Sequence, residues 1–346
     1  MKAQIALIGI MITSVAHSTE FGIYANSIAA HNIAATQHTI SDRVFFPMAN
    51  NQPTKNQDIA PQADSQDPER YGEMLYYGEF GDDTGVLPLI SGRNGGDTND
   101  NYFRIGWQHF SDDVKFKKYP HMKSTSDVAF IAYGNEFNST RFEFFGGYSG
   151  TDSKNNMLDI DNDGGFIGAS FGKRFGNLEL SAMADVGFSI NDIEPSIYGD
   201  DFNNFYAGVM ANIAYDQSFD DIVFFRPALR GGYTWINSQD YFTASGEHIS
   251  NQDIGFFELT PMMDIYSNLG DGLVIGGHVG YIMNFTVGGR TTIDSVAVSK
   301  LGTGNYFEYG VAISQSFENF RLGINVGRHD GSRNGWNGGA EFKYAF

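Results

Sequence analysis

From about residue 101 to its end the chain falls into segments of roughly ten residues in which apolar and polar side chains alternate, the spacing that puts neighbours on opposite faces of a β-strand. Between Leu178 and Ile190, one face takes Leu178, Leu180, Ala182, Ala184, Val186, Phe188 and Ile190, and the other takes Glu179, Ser181, Met183, Asp185, Gly187 and Ser189. Phe205, Ala207, Val209, Ala211, Ile213 and Tyr215 repeat the scheme, as do Phe320, Leu322, Ile324 and Val326 opposite Arg321, Gly323 and Asn325. A soluble β-sandwich alternates in the same way, so the connections carry the distinction. Short turns are predicted at Asn138-Ser139, Gly176-Asn177, Ser218 to Asp221, Asn268 to Gly272 and Glu318-Asn319. They interleave with longer polar loops at 111–125, 151–163, 191–203, 238–250, 289–303 and 329–335. Short turns on one side, long loops on the other and an even strand count are the habit of bacterial transmembrane barrels, whose short turns face the periplasm. The expected fold class is all-β: a transmembrane antiparallel up-and-down β-barrel of about twelve strands, spanning 101–346.

The N-terminal part follows other rules. Lys2, the apolar stretch from Ala3 to Val15, and the small residues Ala16 and Ser18 have the order of a signal peptide over 1–18, with a mature chain starting near Thr19. That stretch is shorter than the roughly 20 residues a helix needs to cross a bilayer, and no later run is apolar enough. Residues 19–100 then form a short segment before the barrel. Within it, 24–44 is alanine-rich and carries Ile28, Ile33, Ile40 and Val44 at the spacing of a helix with one weak apolar stripe. Residues 47–100, rich in Asn, Gln, Asp, Gly and Pro, read as a flexible connector, in which Gly72 to Phe80 is a candidate extra strand.

Charge and composition narrow the partners. The net charge of −19 argues against nucleic acid and suits a surface exposed to divalent cations. The absence of cysteine fits an envelope protein. Trp107, Tyr133, Tyr148, Tyr215, Tyr233, Trp235, Tyr281, Phe285 and Phe346 fall outward near strand ends, where aromatic rings anchor a barrel at the headgroups of its expected partner, outer-membrane lipid. Projected inward, the alternation lines a lumen with Arg104, Arg141, Glu143, Arg174, Glu179, Asp185, Arg226, Arg230, Glu258, Asp264, Glu308, Arg321, Glu341 and Lys343. Both signs occur, which suits either a water-filled pore or a salt-bridged wall that grips a helix. For any one of these residues, pairing between neighbouring strands is the simplest account.

Two constellations invite chemistry. Asp159, Asp161, Asp163 and Gly164 repeat the opening of a calcium-binding loop, although Ser170 stands where the bidentate glutamate belongs. Calcium in an outer loop is thus the one cofactor considered, against the simpler reading of a solvated acidic loop. Asp240, Glu247, His248 and Asp253, or His329 with Asp330, offer acid and base groups at the outer rim. No nucleophile motif, zinc-ligand spacing or phosphate loop accompanies them, and no enzymatic activity is expected.

The last strand ends on Phe342, Tyr344 and Phe346 on one face, with Glu341 and Lys343 on the other, and looks like the insertion signature of outer-membrane barrels. The run FIAYGNEFNSTRFEFFGGY from Phe130 to Tyr148 resembles the second and third strands of the translocator (β) domain of autotransporters, the twelve-stranded barrels of type V secretion. Phe225 to Tyr233 resembles that family's seventh strand with its proline, Pro227, and Phe320 to Phe346 its closing hairpin. The resemblance covers roughly 70% of the chain, residues 101–346. It implies residence in the bacterial outer membrane and hand-over by the barrel-assembly machinery through the C-terminal strand. It also implies a linker helix threading the pore, a role that 24–44 could fill. A short periplasmic helix or a disordered arm is the alternative. The family's passenger of several hundred residues has no counterpart here, because only about 80 residues separate the signal peptide from the first strand. The role implied is to anchor or present a short N-terminal segment. The other reading is a passenger-free surface barrel, acting as an adhesin for host or matrix ligands at its loops, a structural protein or a small-solute pore.

Overall fold

The computed structural model describes residues 25–41, 48–49, 89–90 and 100–346, apart from 117–120, 138, 157, 195–200, 220–222, 243–245, 247, 251–252, 271, 288–290, 294–295, 299–301, 303 and 318. Twelve long antiparallel strands close into a barrel. They are β1 Asp100–Val114, β2 Met122–Phe137, β3 Thr140–Lys154, β4 Asp159–Phe175, β5 Leu178–Glu194 and β6 Phe202–Tyr215. The second half comprises β7 Val223–Ser238, β8 Ile254–Asn268, β9 Leu273–Val287, β10 Tyr306–Phe317, β11 Phe320–Gly331 and β12 Arg333–Ala345. Each pairs with its chain neighbour, and β12 closes on β1, with Arg333 opposite Val114 and Ala345 opposite Tyr102. The Phe346 amide donates to the Asn101 carbonyl at 2.9 Å, so both ends of the barrel lie at the rim that carries the short turns. Closure leaves no unpaired strand edge, which lipid would not tolerate.

The alternation read from the sequence sets the two faces. Along β5 every second side chain is buried, Glu179, Met183 and Asp185 among them, while Leu180, Val186, Phe188 and Ile190 stand exposed on the outer wall. Pro227 falls on the seventh strand.

Two of the expected outer loops are corrected. Residues 151–163 and 329–335 are largely strand: β3 runs to Lys154 before β4 starts at Asp159, and only Ser332 separates β11 from β12. Gly331 makes that tight connection with φ 137°, where a Cβ would stand 2.8 Å from the Asn305 carbonyl oxygen and the Tyr306 Cα. The physical reason is length. About 9–11 tilted residues cross the hydrocarbon, whereas β3 has 15 and β4 and β5 have 17 each, so these hairpins continue beyond the lipid and need no apolar outer face there. The connections after β7 and β9 carry short strands that are not part of the barrel sheet. Their short strands Tyr241–Phe242, His248–Ser250, Thr291–Ile293 and Val296–Val298 form a small antiparallel sheet.

Upstream, a helix, α1, spans 25–41. Val44, residues 1–18 and the candidate strand at 72–80 lie outside the described residues. Of the connector, Met48–Ala49 pairs in parallel with Leu89–Ile90.

Candidate functional site: the occupied lumen

A twelve-stranded barrel is wider than its own side chains can fill, since about eight strands already leave an interior just wide enough for them. Helix α1 occupies the outer part of this bore. Ala25, Ala29, Ala30, Ala34 and Ala35 keep it slender and favour the helical state. Its apolar side chains meet an apolar patch on the inner wall, where Ala30, Ile33 and Ile40 pack with Phe110, Val128, Phe130, Phe145, Phe166 and Met183 among others. At the outer rim Ala25, Ile28 and Ala29 pack with Phe202, Tyr241 and Ile249. Burial pushes the Tyr241 phenol up, so it stays neutral there. A cavity of about 30 Å³ remains beside Ala34 and Ala35, enough for a water or two.

Polar side chains of α1 are held by the wall along its length. Asn204 Nδ2 donates to Asn26 Oδ1 at 3.1 Å, and Asn32 Nδ2 donates to Ser153 Oγ at 3.1 Å, both near the outer rim. Gln37 Nε2 donates to both oxygens of Asp185 at 2.8 and 2.9 Å, and its carbonyl accepts from the Thr234 hydroxyl. Gly208 on β6 makes room for it, because a Cβ at that position would overlap the Gln37 amide. His38 sits between two carboxylates, Nδ1 at 2.7 Å from Glu258 and Nε2 at 3.0 Å from Glu308. Only a ring protonated on both nitrogens can donate to both, so the imidazolium is the form that fits. His278 and His329 approach Glu308 at 3.7 and 3.8 Å, and Asn337 donates to it at 3.2 Å. At the inner end, Arg230 Nη1 donates to Ser41 Oγ at 3.1 Å.

Towards the rim of short turns the lumen is lined by an ionic tier. Arg226 meets Glu179 at 3.1 Å and Asp216 at 3.6 Å, while Arg174 meets the same two carboxylates at 3.6 and 3.4 Å. Arg104 pairs with Glu143 and, at 3.4 Å, with Glu341, and lies 4.9 Å from the centroid of the Phe130 ring. Tyr102 donates to Glu143 at 3.0 Å, and the Lys343 ammonium sits 3.8 Å above the Tyr102 ring. Arg321 donates to Ser314 Oγ at 2.6 Å. Arg141 and Asp264 are buried opposite Glu136 and Arg226 in the register. Buried charges are tolerable only when paired in this way.

The other candidate groups separate. Asp159, Asp161 and Asp163 lie in a strand rather than a loop and stand in a row on one face. Asp163 accepts from the Tyr148 hydroxyl, and Asp159 and Asp161 group instead with Asp152 of β3. His329 and Asp330 point to opposite faces, His329 inward to Asp112 at 2.9 Å and Asp330 outward beside Arg328. His248 and Asp240 are 3.7 Å apart and exposed, while Asp253 accepts from Asn237 at 2.7 Å. Phe342, Tyr344 and Phe346 lie on the outer face of the last strand, and Tyr344 stacks on Phe346.

No family model matches the sequence, and no curated protein matches it. In fold the chain is similar to the translocator domain of the autotransporter NalP from Neisseria meningitidis, with a TM-score of 0.56 at 11% identity over 70% of this chain and 88% of that one. The β domain of the Bordetella autotransporter Brka gives 0.56 at 10%, covering 72% and 100%, and the transport unit of the autotransporter AIDA-I from Escherichia coli gives 0.56 at 13%, covering 75% and 95%. These neighbours are translocator domains rather than enzymes, and at such identities the likeness is one of fold. With its closed wall, apolar outer band and helix-filled bore, the chain is an outer-membrane β-barrel with the twelve-stranded fold of autotransporter translocator domains.

Proposed function

We propose that the barrel anchors a short N-terminal segment in the outer membrane, holding α1 in its pore and presenting the residues before it at the cell surface, in the manner of type V secretion. The observation that carries this reading is the direction of the helix. Ala25, Asn26 and Ile28 lie among Asn204, Phe202 and Tyr241 at the outer rim, and Ser41 reaches Arg230 half-way down β7 towards the end where β1 begins. A chain that passes from outside to periplasm in α1 and then enters β1 from the periplasmic rim follows the order of a translocator. The outward aromatic end of β12, Phe342 to Phe346, is the part we assign to recognition by the assembly machinery.

The chain has no cysteine, so single thiols report sidedness. A Glu20→Cys variant is expected to react with a membrane-impermeant maleimide on intact cells, and a Val44→Cys variant only after the outer membrane is permeabilised. The reverse pattern would overturn the direction, and the small-solute pore or loop-borne adhesin would then be the better reading.

A further inference from the structure

We infer that the outer wall carries a site for one phosphorylated, acylated lipid of the outer leaflet, with an acyl chain in a groove across β8–β12 and its phosphate on Arg328. Two rows of outward side chains, fixed by the register, make the groove. The lower row runs Ile265, Gly277, Val311, Val326 and Gly338 across five strands, and Gly277 leaves a dent in it. The upper row runs Met263, Val279, Tyr309, Arg328 and Trp336. The concavity between them holds about 420 Å³, within the size range of ligand pockets, and its lining is almost wholly apolar.

An apolar dent alone does not select a lipid, because inside a bilayer any acyl chain fills it equally well. Arg328 supplies the selection. It is three residues from the outer end of β11, where a lipid-facing arginine costs about 0–1 kcal/mol instead of the roughly 2–4 it would cost at the midplane. Its guanidinium carbon lies 5.1 Å from the centre of the Trp336 ring, a cation–π contact that fixes the plane of the fork at headgroup level. Nε donates to Asp330 at 3.4 Å, and Asp330 also accepts from the Tyr309 hydroxyl. Among the described residues the two terminal amino groups of Arg328 have no protein partner, which leaves both free for a phosphate oxygen above the groove. Because Asp330 offsets the charge of Arg328, the selection rests on the two donors of the fork, which suit the several oxygens of a phosphate monoester better than a zwitterionic diester.

The test is native mass spectrometry of the full-length barrel in detergent, supplied with bis-phosphorylated lipid A, the same lipid with its phosphates removed, or phosphatidylethanolamine. One phosphorylated lipid is expected to remain per barrel. Arg328→Gln should lower its retention on the order of fivefold, the worth of one cation at an anionic lipid surface. Arg328→Lys should lower it less, and Val311→Trp should lower it by filling the dent. Lys173→Gln, an outward cation at the opposite rim, is the control and should change nothing. Equal retention of the dephosphorylated lipid, or wild-type retention by Arg328→Gln, overturns the proposal. So does a dimer that Val311→Trp dissolves, which would give the groove to a second copy of the chain.

Discussion

A His38→Ala variant is expected to loosen α1 in an otherwise intact barrel, read as faster amide hydrogen exchange across 25–41 with the strand amides unchanged. His38 makes two hydrogen bonds to carboxylates that are themselves buried, and each such bond to a charged group is worth about 1.5–3 kcal/mol. Losing both, and leaving Glu258 and Glu308 without the cation between them, should cost the docked helix about 3 kcal/mol, or roughly a hundredfold in opening. Glu308 keeps Asn337 and the more distant His278 and His329, so the wall has the means to stay folded. Adding Glu308→Gln to the His38→Ala background should recover part of the protection, because the uncompensated charge is then gone. Protection unchanged in the single variant would show that the apolar contacts of Ile33 and Ile40 hold the helix without the clamp.

The second large effect concerns the barrel itself. Glu179 is fully buried and is shared by Arg226 and Arg174. Glu179→Gln leaves Arg226 and Arg174 to share Asp216, at 3.6 and 3.4 Å, with Asp264 opposite Arg226 on the neighbouring strand, and is expected to destabilise the barrel by about 3–5 kcal/mol in urea unfolding from lipid vesicles. The cost should come from stranded charge more than from a lost attraction. Glu179→Gln combined with Arg226→Met should therefore recover most of it. A double variant as unstable as the single one would mean that the pair contributes net attraction.

The strands were legible because lipid on one side and a polar bore on the other force a period of two, and Leu178 to Ile190 displays it without interruption. Two features were less so. Polar stretches such as 151–163 read as loops because strand and loop share a composition once a hairpin leaves the lipid. The apolar part of the helix dock is less legible, because the inward residues that the alternation singles out are all charged, whereas Phe110, Phe130, Phe145, Phe166 and Met183 also point inward. A signal for it was present: these large apolar residues fall on the inward parity of β1 to β5, where a water-filled pore has no use for them. His38 carried no local signal, since its partners lie 220 and 270 residues away, and neither did Gln37, whose site is set by Gly208 and Asp185. Fold alone does not fix function, and what is specific to this chain lies in those contacts.

Whether α1 closes the pore is read directly by single-channel conductance of the refolded protein in a planar bilayer. The mature chain is predicted to be nearly closed, and a version lacking residues 25–41 to conduct steadily through the vacated outer bore. Equal conductance from the two, or none from either, would mean that α1 does not close the pore.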